Sequence, residues 1–183
     1  FNPIVQLDIK PTDRVGVIGI GGLGHMALQF LNAWGCHVTA FTSSESKTAE
    51  AKAMGAHDVV ASSDPKALRP LAGQFDAIIS TVNVPLNWDS YVVALAPKGR
   101  LHTVGAVLES FGVSNGFMLI GGQKSVSGSP LGSPATVNTM LEFCARHDIQ
   151  PKTESFKLSE VNKALDHLRA GKPRYRIVLD CRV

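Results

Sequence analysis

Residues 14–31, RVGVIGIGGLGHMALQFL, constrain this chain more than any other stretch. A β-branched run passes through four glycines into a segment with helical periodicity. Gly19-Ile20-Gly21-Gly22-Leu23-Gly24 fits G-x-G-x-x-G, a weak pattern alone. Here a strand precedes it and a helix follows, which is the context the pattern requires. Gly19 permits the tight turn out of the strand. Gly21 has no Cβ, so a pyrophosphate can approach the main chain. Gly24 lets the helix lie close to the strand. The opening turn of that helix offers free N–H groups and a partial positive charge to an anion. A turn that only served packing seldom needs glycine at all three spacings, with a further one at Gly22. The loop therefore predicts dinucleotide binding. His25, in the first helical turn, either touches a phosphate or simply occupies a helix position.

The rest of the chain alternates in the same way. Strand-like runs stand at residues 14–20, 37–42, 58–62, 75–80, 99–105 and 125–129. The first helix carries Leu23, Met26, Ala27, Phe30, Leu31 and Trp34 on one face and stops at Gly35. Further helices are expected over 46–54, near Asp64-Pro65, over 85–95, and after Ser133-Pro134. The last of these places Val137, Met140, Leu141 and Cys144 on its apolar face. Strand and helix in alternation predict an α/β fold, a doubly wound parallel sheet with helices on both sides. Residues 106–124 break the rhythm. They are glycine-rich around an apolar FMLI and read as an edge strand or as a patch that needs a partner. After Pro151, TESFKL alternates, Ser159 caps a helix bearing Val161, Ala164, Leu165 and Leu168, and RIVLD forms a last strand. The expected division is a dinucleotide-binding domain over 1–150 and a C-terminal segment over 151–183.

Composition removes several function classes. No apolar run is long enough to cross a bilayer, so no membrane role is expected. The 18 basic and 15 acidic residues leave a net charge of +3. Their only basic cluster, KPRYR at 172–176, is too small for a nucleic-acid footprint. Cys36, Cys144 and Cys181 are far apart and share no metal-ligand spacing, so a reducing, cytoplasmic setting is expected, without a disulfide framework. The chain opens on Phe1 with no leader pattern, and reads as a piece of something longer.

A dinucleotide fold tests its ligand where the second strand ends. An acidic side chain there accepts both ribose hydroxyls and selects NAD. That strand runs into FTSSESK, and Thr42, Ser43 and Ser44 are neutral. Small hydroxyls can donate to phosphate oxygens and Lys47 can add a point charge, so the residues lean to NADP. Lys47 also reads as a solvated lysine at a helix start. If Glu45 rather than Ser43 points at the ribose, the preference weakens or reverses.

The segments GVIGIGGLGHMALQF, VTAFTSSESK, AKAMGA, STVNVPLNWDSYVVALAPKGRLHTVGAV, SVSGSPLGSP and GKPRYRIVLD resemble the zinc-dependent medium-chain alcohol dehydrogenases. Within these they are most similar to the cinnamyl-alcohol-dehydrogenase branch and its bacterial NADPH-dependent aldehyde reductases. The resemblance runs in order along essentially the whole chain. It implies a Rossmann fold in which the Gly19–Gly24 loop with Leu23 holds the pyrophosphate. Ser43, Ser44 and Lys47 match the positions that hold the 2′-phosphate. Thr81, Val82 and Asn83 would flank the nicotinamide. Val104, Gly105 and Ala106 would meet the carboxamide through main-chain groups, and Ser127, Gly128 and Ser129 would line the same pocket. Arg176 matches an arginine that reaches the pyrophosphate. The catalytic and structural zinc ions of this family belong to a preceding domain whose motifs are absent here, so the resemblance implies no catalytic or metal-binding residue within this chain. It implies instead NADPH and a small aldehyde or alcohol as partners, a missing N-terminal catalytic domain onto which residues 151–183 fold, and a homodimer paired through an edge strand at 117–122. Two rivals remain open: a zinc-free quinone reductase of the same superfamily, and a nucleotide-sensing module. A methyltransferase would want an acidic ribose ligand after the second strand, which 42–44 do not supply.

Overall fold

The computed structural model describes residues 1–43 and 45–182. Its centre is a six-stranded sheet in the order β3-β2-β1-β4-β5-β6, every neighbouring pair parallel. The strands are β1 (Arg14–Ile18), β2 (His37–Thr42), β3 (Asp58–Ala61), β4 (Phe75–Ser80), β5 (Leu95–Thr103) and β6 (Ser125–Gly128). The helices between them are α2 (Gly24–Trp34), α3 (Thr48–Ala53), a 3-10 helix over Pro65–Leu71, and α4 (Trp88–Ala94). A short α1 (Asn2–Gln6) precedes β1, and α5 (Phe117–Ile120) and α6 (Pro134–His147) flank β6. This is the doubly wound sheet the alternation predicts. The strand order reverses between β1 and β4, and that is where such folds open a crevice.

The strands are buried on both faces, which is why they read as unbroken apolar runs. Side chains still alternate between two cores. From β1, Val15 and Val17 enter a cluster with Leu28 and Leu31 of α2, while Ile18 enters another with Phe75, Trp88 and Val92. Position 16 faces that second side and is glycine because the Phe41 ring fills the space: a Cβ there would stand 2.6 Å from Phe41 Cε2.

Helix α2 ends at Gly35, whose φ of 107° is the left-handed conformation a glycine adopts freely. Its burial differs from the expected single stripe. His25 and Leu28 are buried as well, because the sheet covers one side while Phe1 and Phe143 pack around Phe30 and Trp34 on another. Ser133 caps α6 as expected, accepting from the Thr136 amide. On that helix Met140 and Cys144 pack inward, but Val137 and Leu141 stay exposed, and Phe143 takes their place.

Residues 117–122 are not an edge strand. Phe117–Ile120 forms the single helical turn α5, and β6 is the edge of the sheet. The Asn115 carboxamide oxygen accepts the Phe117 amide, and the Gly116 carbonyl accepts from Ile120, so the turn closes locally before any strand can pair. Met118 and Leu119 pack inward, whereas Phe117 and Ile120, three residues apart, both face outward. That is a helical repeat rather than the two-residue repeat of a strand.

The tail folds as β7 (Thr153–Lys157), α7 (Val161–Arg169) and β8 (Arg176–Asp180), with β7 and β8 paired in parallel as a separate two-stranded sheet. Ser159 lies inside a 3-10 turn, Leu158–Glu160, and Glu160 precedes the helix without a side-chain cap. Only Ala164 of α7 is buried; Leu165 and Leu168 are exposed.

Candidate functional site

The chain leaves β1 at Gly19 with φ of 84°. The Gly19 amide donates to the Phe41 carbonyl at 3.0 Å, and the Gly19 carbonyl accepts the Thr81 hydroxyl at 2.8 Å. The turn is thus tied to β2 on one side and to the end of β4 on the other. A Cβ on Gly24 would stand 1.8 Å from the Gly19 carbonyl oxygen, so α2 starts in direct contact with the strand it follows. A Cβ on Gly21 would meet nothing within 4 Å. Among the described residues, the amides of Gly21, Gly22 and Leu23 have no protein acceptor. Open space, unused N–H groups and the positive end of an 11-residue helix converge at one point.

Around this point lies a cleft of about 390 Å³ at the carboxyl ends of the strands. The glycine loop forms its floor through Leu23. Ser43 and Lys47 close the end beyond β2, and Thr81, Val82 and Asn83 form the wall beyond β4. The structure therefore brings together ten predicted residues: Gly19, Gly21, Gly22, Leu23, Ser43, Lys47, Thr81, Val82, Asn83 and, as the start of α2, Gly24. Ser44 lies outside the described residues. Among the described residues lining the cleft, Lys47 is the charged one, so the cavity is biased toward an anion.

Other lining residues, Ser62, Ser63, Val84, Leu86 and Tyr91 among them, carry no motif signal. Ser62 and Ser63 follow β3, and Leu86 and Tyr91 come from the loop after β4 and from α4. Their approach depends on sheet order, because β3 lies beside β2. A serine pair after the third strand could have been picked out from the fold class alone, since ligands sit outside the carboxyl ends of these strands.

Val104, Gly105 and Ala106 follow β5 and stand beside the cleft rather than in its lining. Gly105 approaches the segment after β4 so closely that a Cβ would lie 2.0 Å from the Val82 carbonyl oxygen. The Val104 amide donates to the Ser80 carbonyl at 2.9 Å. Ser127, Gly128 and Ser129 are one strand further out. Both serine hydroxyls are engaged by His102 of β5, Ser127 at Nδ1 and Ser129 at Nε2, each at 2.9 Å. His102 is fully buried, and burial holds its pKa below the ordinary histidine value. Nothing in the sequence marks it, because one histidine in a strand carries no pattern.

His25 is fully buried too and does not face the cleft. Its Nδ1 is 3.1 Å from the Gly21 carbonyl oxygen, and its Nε2 is 3.2 Å from the Lys152 amide. The sequence leaves open a phosphate contact or a plain helix position; in the structure both ring nitrogens are hydrogen-bonded within the protein. Arg176 reaches the loop from the tail: a Cβ on Gly22 would stand 2.9 Å from its Cδ and Nη1. Among the described residues, no group of three or more His, Cys, Asp or Glu is placed to hold a metal ion, and no helix is long and apolar enough to cross a membrane.

The profile of the zinc-binding dehydrogenases matches residues 22–146. The aldehyde reductase AdhA of Synechocystis sp. is 55% identical over 179 residues, which cover 98% of this chain and 53% of that protein. A cinnamyl alcohol dehydrogenase of Sorghum bicolor, SbCAD4, superposes with a TM-score of 0.92 at 34% identity, over 98% of this chain and 51% of the other. The cinnamyl alcohol dehydrogenase of Helicobacter pylori, solved with NADP(H), superposes with a TM-score of 0.85 at 30% identity, again over 98% and 51%. The chain spans about half the length of the curated relatives it matches.

Proposed function

The chain belongs to the zinc-binding dehydrogenase family, and from that premise we propose that it is the NADP(H)-binding part of an alcohol dehydrogenase or aldehyde reductase. The observation that carries the reading is the open main chain at Gly21, flanked by unpaired amides at the start of α2. The main chain is open there: a Cβ on Gly21 would meet nothing within 4 Å, which leaves room for a phosphate to approach. The Gly21, Gly22 and Leu23 amides would bind it, with the Arg176 guanidinium above Gly22. Ser43 and Lys47 would take the 2′-phosphate at the β2 end of the cleft, where small hydroxyls and a cation suit an anion that an acidic residue would repel. Val82, Asn83 and the 104–106 turn would flank the nicotinamide half.

When bound, the cofactor would supply a hydride to the carbonyl carbon of a small aldehyde, and a proton from water on the oxygen would complete the alcohol. This chain orients the donor and keeps its phosphates paired. Zinc and most of the substrate pocket would come from a part of the protein outside this chain, onto which residues 151–183 pack. The exposed Leu158, Leu165, Leu168 and Val178 fit that role. The exposed Phe117 and Ile120 fit a contact between two copies, made by a helical turn rather than a strand edge. Three free cysteines fit a cytoplasmic setting. Titration with NADPH, NADH and S-adenosylmethionine tests the reading. NADPH should bind most tightly; preference for S-adenosylmethionine, or no nucleotide binding by the intact protein, overturns it.

A further inference from the structure

The contacts of His25 are more specific than packing requires. A main-chain amide can only donate and a carbonyl can only accept. With Lys152 N–H at Nε2 and the Gly21 carbonyl at Nδ1, the ring must be neutral and protonated on Nδ1. The imidazole is a rigid two-sided connector between the loop residue Gly21 and Lys152, which lies 127 positions after His25 in the chain. Its face stacks on Tyr175, with ring centroids 4.8 Å apart and planes inclined by 13°. The Lys152 carbonyl accepts the amides of both Tyr175 and Arg176 at 3.1 Å. Arg176 then lays its side chain along Gly22. The circuit closes: Gly21 carbonyl, His25 ring, Lys152 peptide, Arg176 side chain, Gly22.

We infer that His25 is a positioning residue for cofactor binding: through Lys152 it fixes the start of β8 against the glycine loop and so holds the Arg176 guanidinium at the pyrophosphate position. This rests on the reading of the cleft as an NADP(H) site, and it assigns His25 no contact with the cofactor. The role requires a neutral ring. Protonated Nε2 would present N–H to the Lys152 N–H, and the clasp would open. The charged and titratable groups around the ring are Lys152, Tyr175 and Arg176 from the tail, with Glu50 of α3 and its ion-pair partner Arg174 behind Tyr175. Burial first, with the charges of Arg176 and Lys152 behind it, holds the His25 pKa below its ordinary value against the pull of the Gly21 and Gly22 carbonyls.

The test measures dissociation constants of the intact protein for NADPH and for 2′-AMP, which has the 2′-phosphate but no pyrophosphate. His25→Phe keeps the stacking surface and removes both hydrogen bonds. It should weaken NADPH about tenfold, the scale of one well-placed hydrogen bond and what it orders, and leave 2′-AMP within about twofold. Arg176→Gln should do the same, and the double variant should be little worse than either single, since both remove one contact. His25→Gln, which can still accept from Lys152, should recover part of the loss; it also serves if the Phe variant does not fold. In acid, the ratio of NADPH to 2′-AMP affinity should fall for the wild type and stay flat in His25→Phe. Unchanged NADPH affinity, equal losses for both ligands, or additive losses in the double variant each overturn the inference. A wild type that binds neither ligand overturns the reading of the cleft itself.

Discussion

The Thr81 hydroxyl spans the gap between β4 and β1 to reach the Gly19 carbonyl at 2.8 Å, and it is also 3.0 Å from the Ile18 carbonyl. Thr81 lines the cleft, and its side chain also buttresses the glycine turn. Thr81→Val keeps the shape and leaves a carbonyl unpaired. It should cost about 1 kcal/mol, read from the denaturant midpoint, and weaken NADPH. Thr81→Ser should restore most of both.

Gly21 and Gly24 should part company under the same substitution. Gly24→Ala drives a Cβ into the Gly19 carbonyl and should cost about 3 kcal/mol or more of stability. Gly21→Ala meets nothing in the protein, so melting should be nearly unchanged while NADPH affinity drops about tenfold or more. Thermal melts beside cofactor titrations check the contrast. Equal melting losses would count against the loop as a phosphate cradle.

Ser43 lines the cleft where β2 ends. Ser43→Asp should turn the preference toward NADH, lowering the NADPH-to-NADH affinity ratio by about tenfold or more, through repulsion of the 2′-phosphate and a new ribose acceptor. An unchanged ratio would remove Ser43 from the specificity site.

His102 is buried neutral between two serines, and burial depresses its folded pKa. The unfolded chain therefore takes up a proton near the ordinary value of 6.5 while the folded chain does not. Stability should be flat above that pH and fall as the pH drops below it, toward the folded pKa. His102→Gln should lessen the fall. Melting temperatures at about pH 7.5 and pH 5.5 decide the sign; a protein more stable in acid would refute the assignment.

Phe117 and Ile120 stand outward on one helical turn. If they join two copies, Phe117→Ser with Ile120→Ser should convert the intact protein from dimer to monomer, as read by sedimentation. A dimer that survives both changes must use another surface.

The sheet was legible because parallel strands buried on both faces announce themselves as apolar runs, and Gly19, Gly35 and Gly55 punctuate the turns. The segment 117–120 was misread because FMLI is apolar throughout and has no period of its own; the choice between strand and helix fell to Asn115 and Gly116, which close the turn. The glycine loop could be read because each glycine answers a local steric demand. His25 and His102 could not, since their partners at 152, 127 and 129 become neighbours only through the fold. Ser62 and Ser63 were readable only at the level of fold class, as residues at the carboxyl end of the third strand, because they belong to no motif.

The bond from Lys152 to His25 joins residues 127 apart, and contacts of such long sequence separation form late because a large loop must close first. During synthesis, the glycine loop at 19–24 emerges before the arm that lies across it exists. If that loop is the pyrophosphate cradle, a chain still short of Arg176 would meet a nucleotide without the guanidinium that lies along Gly22.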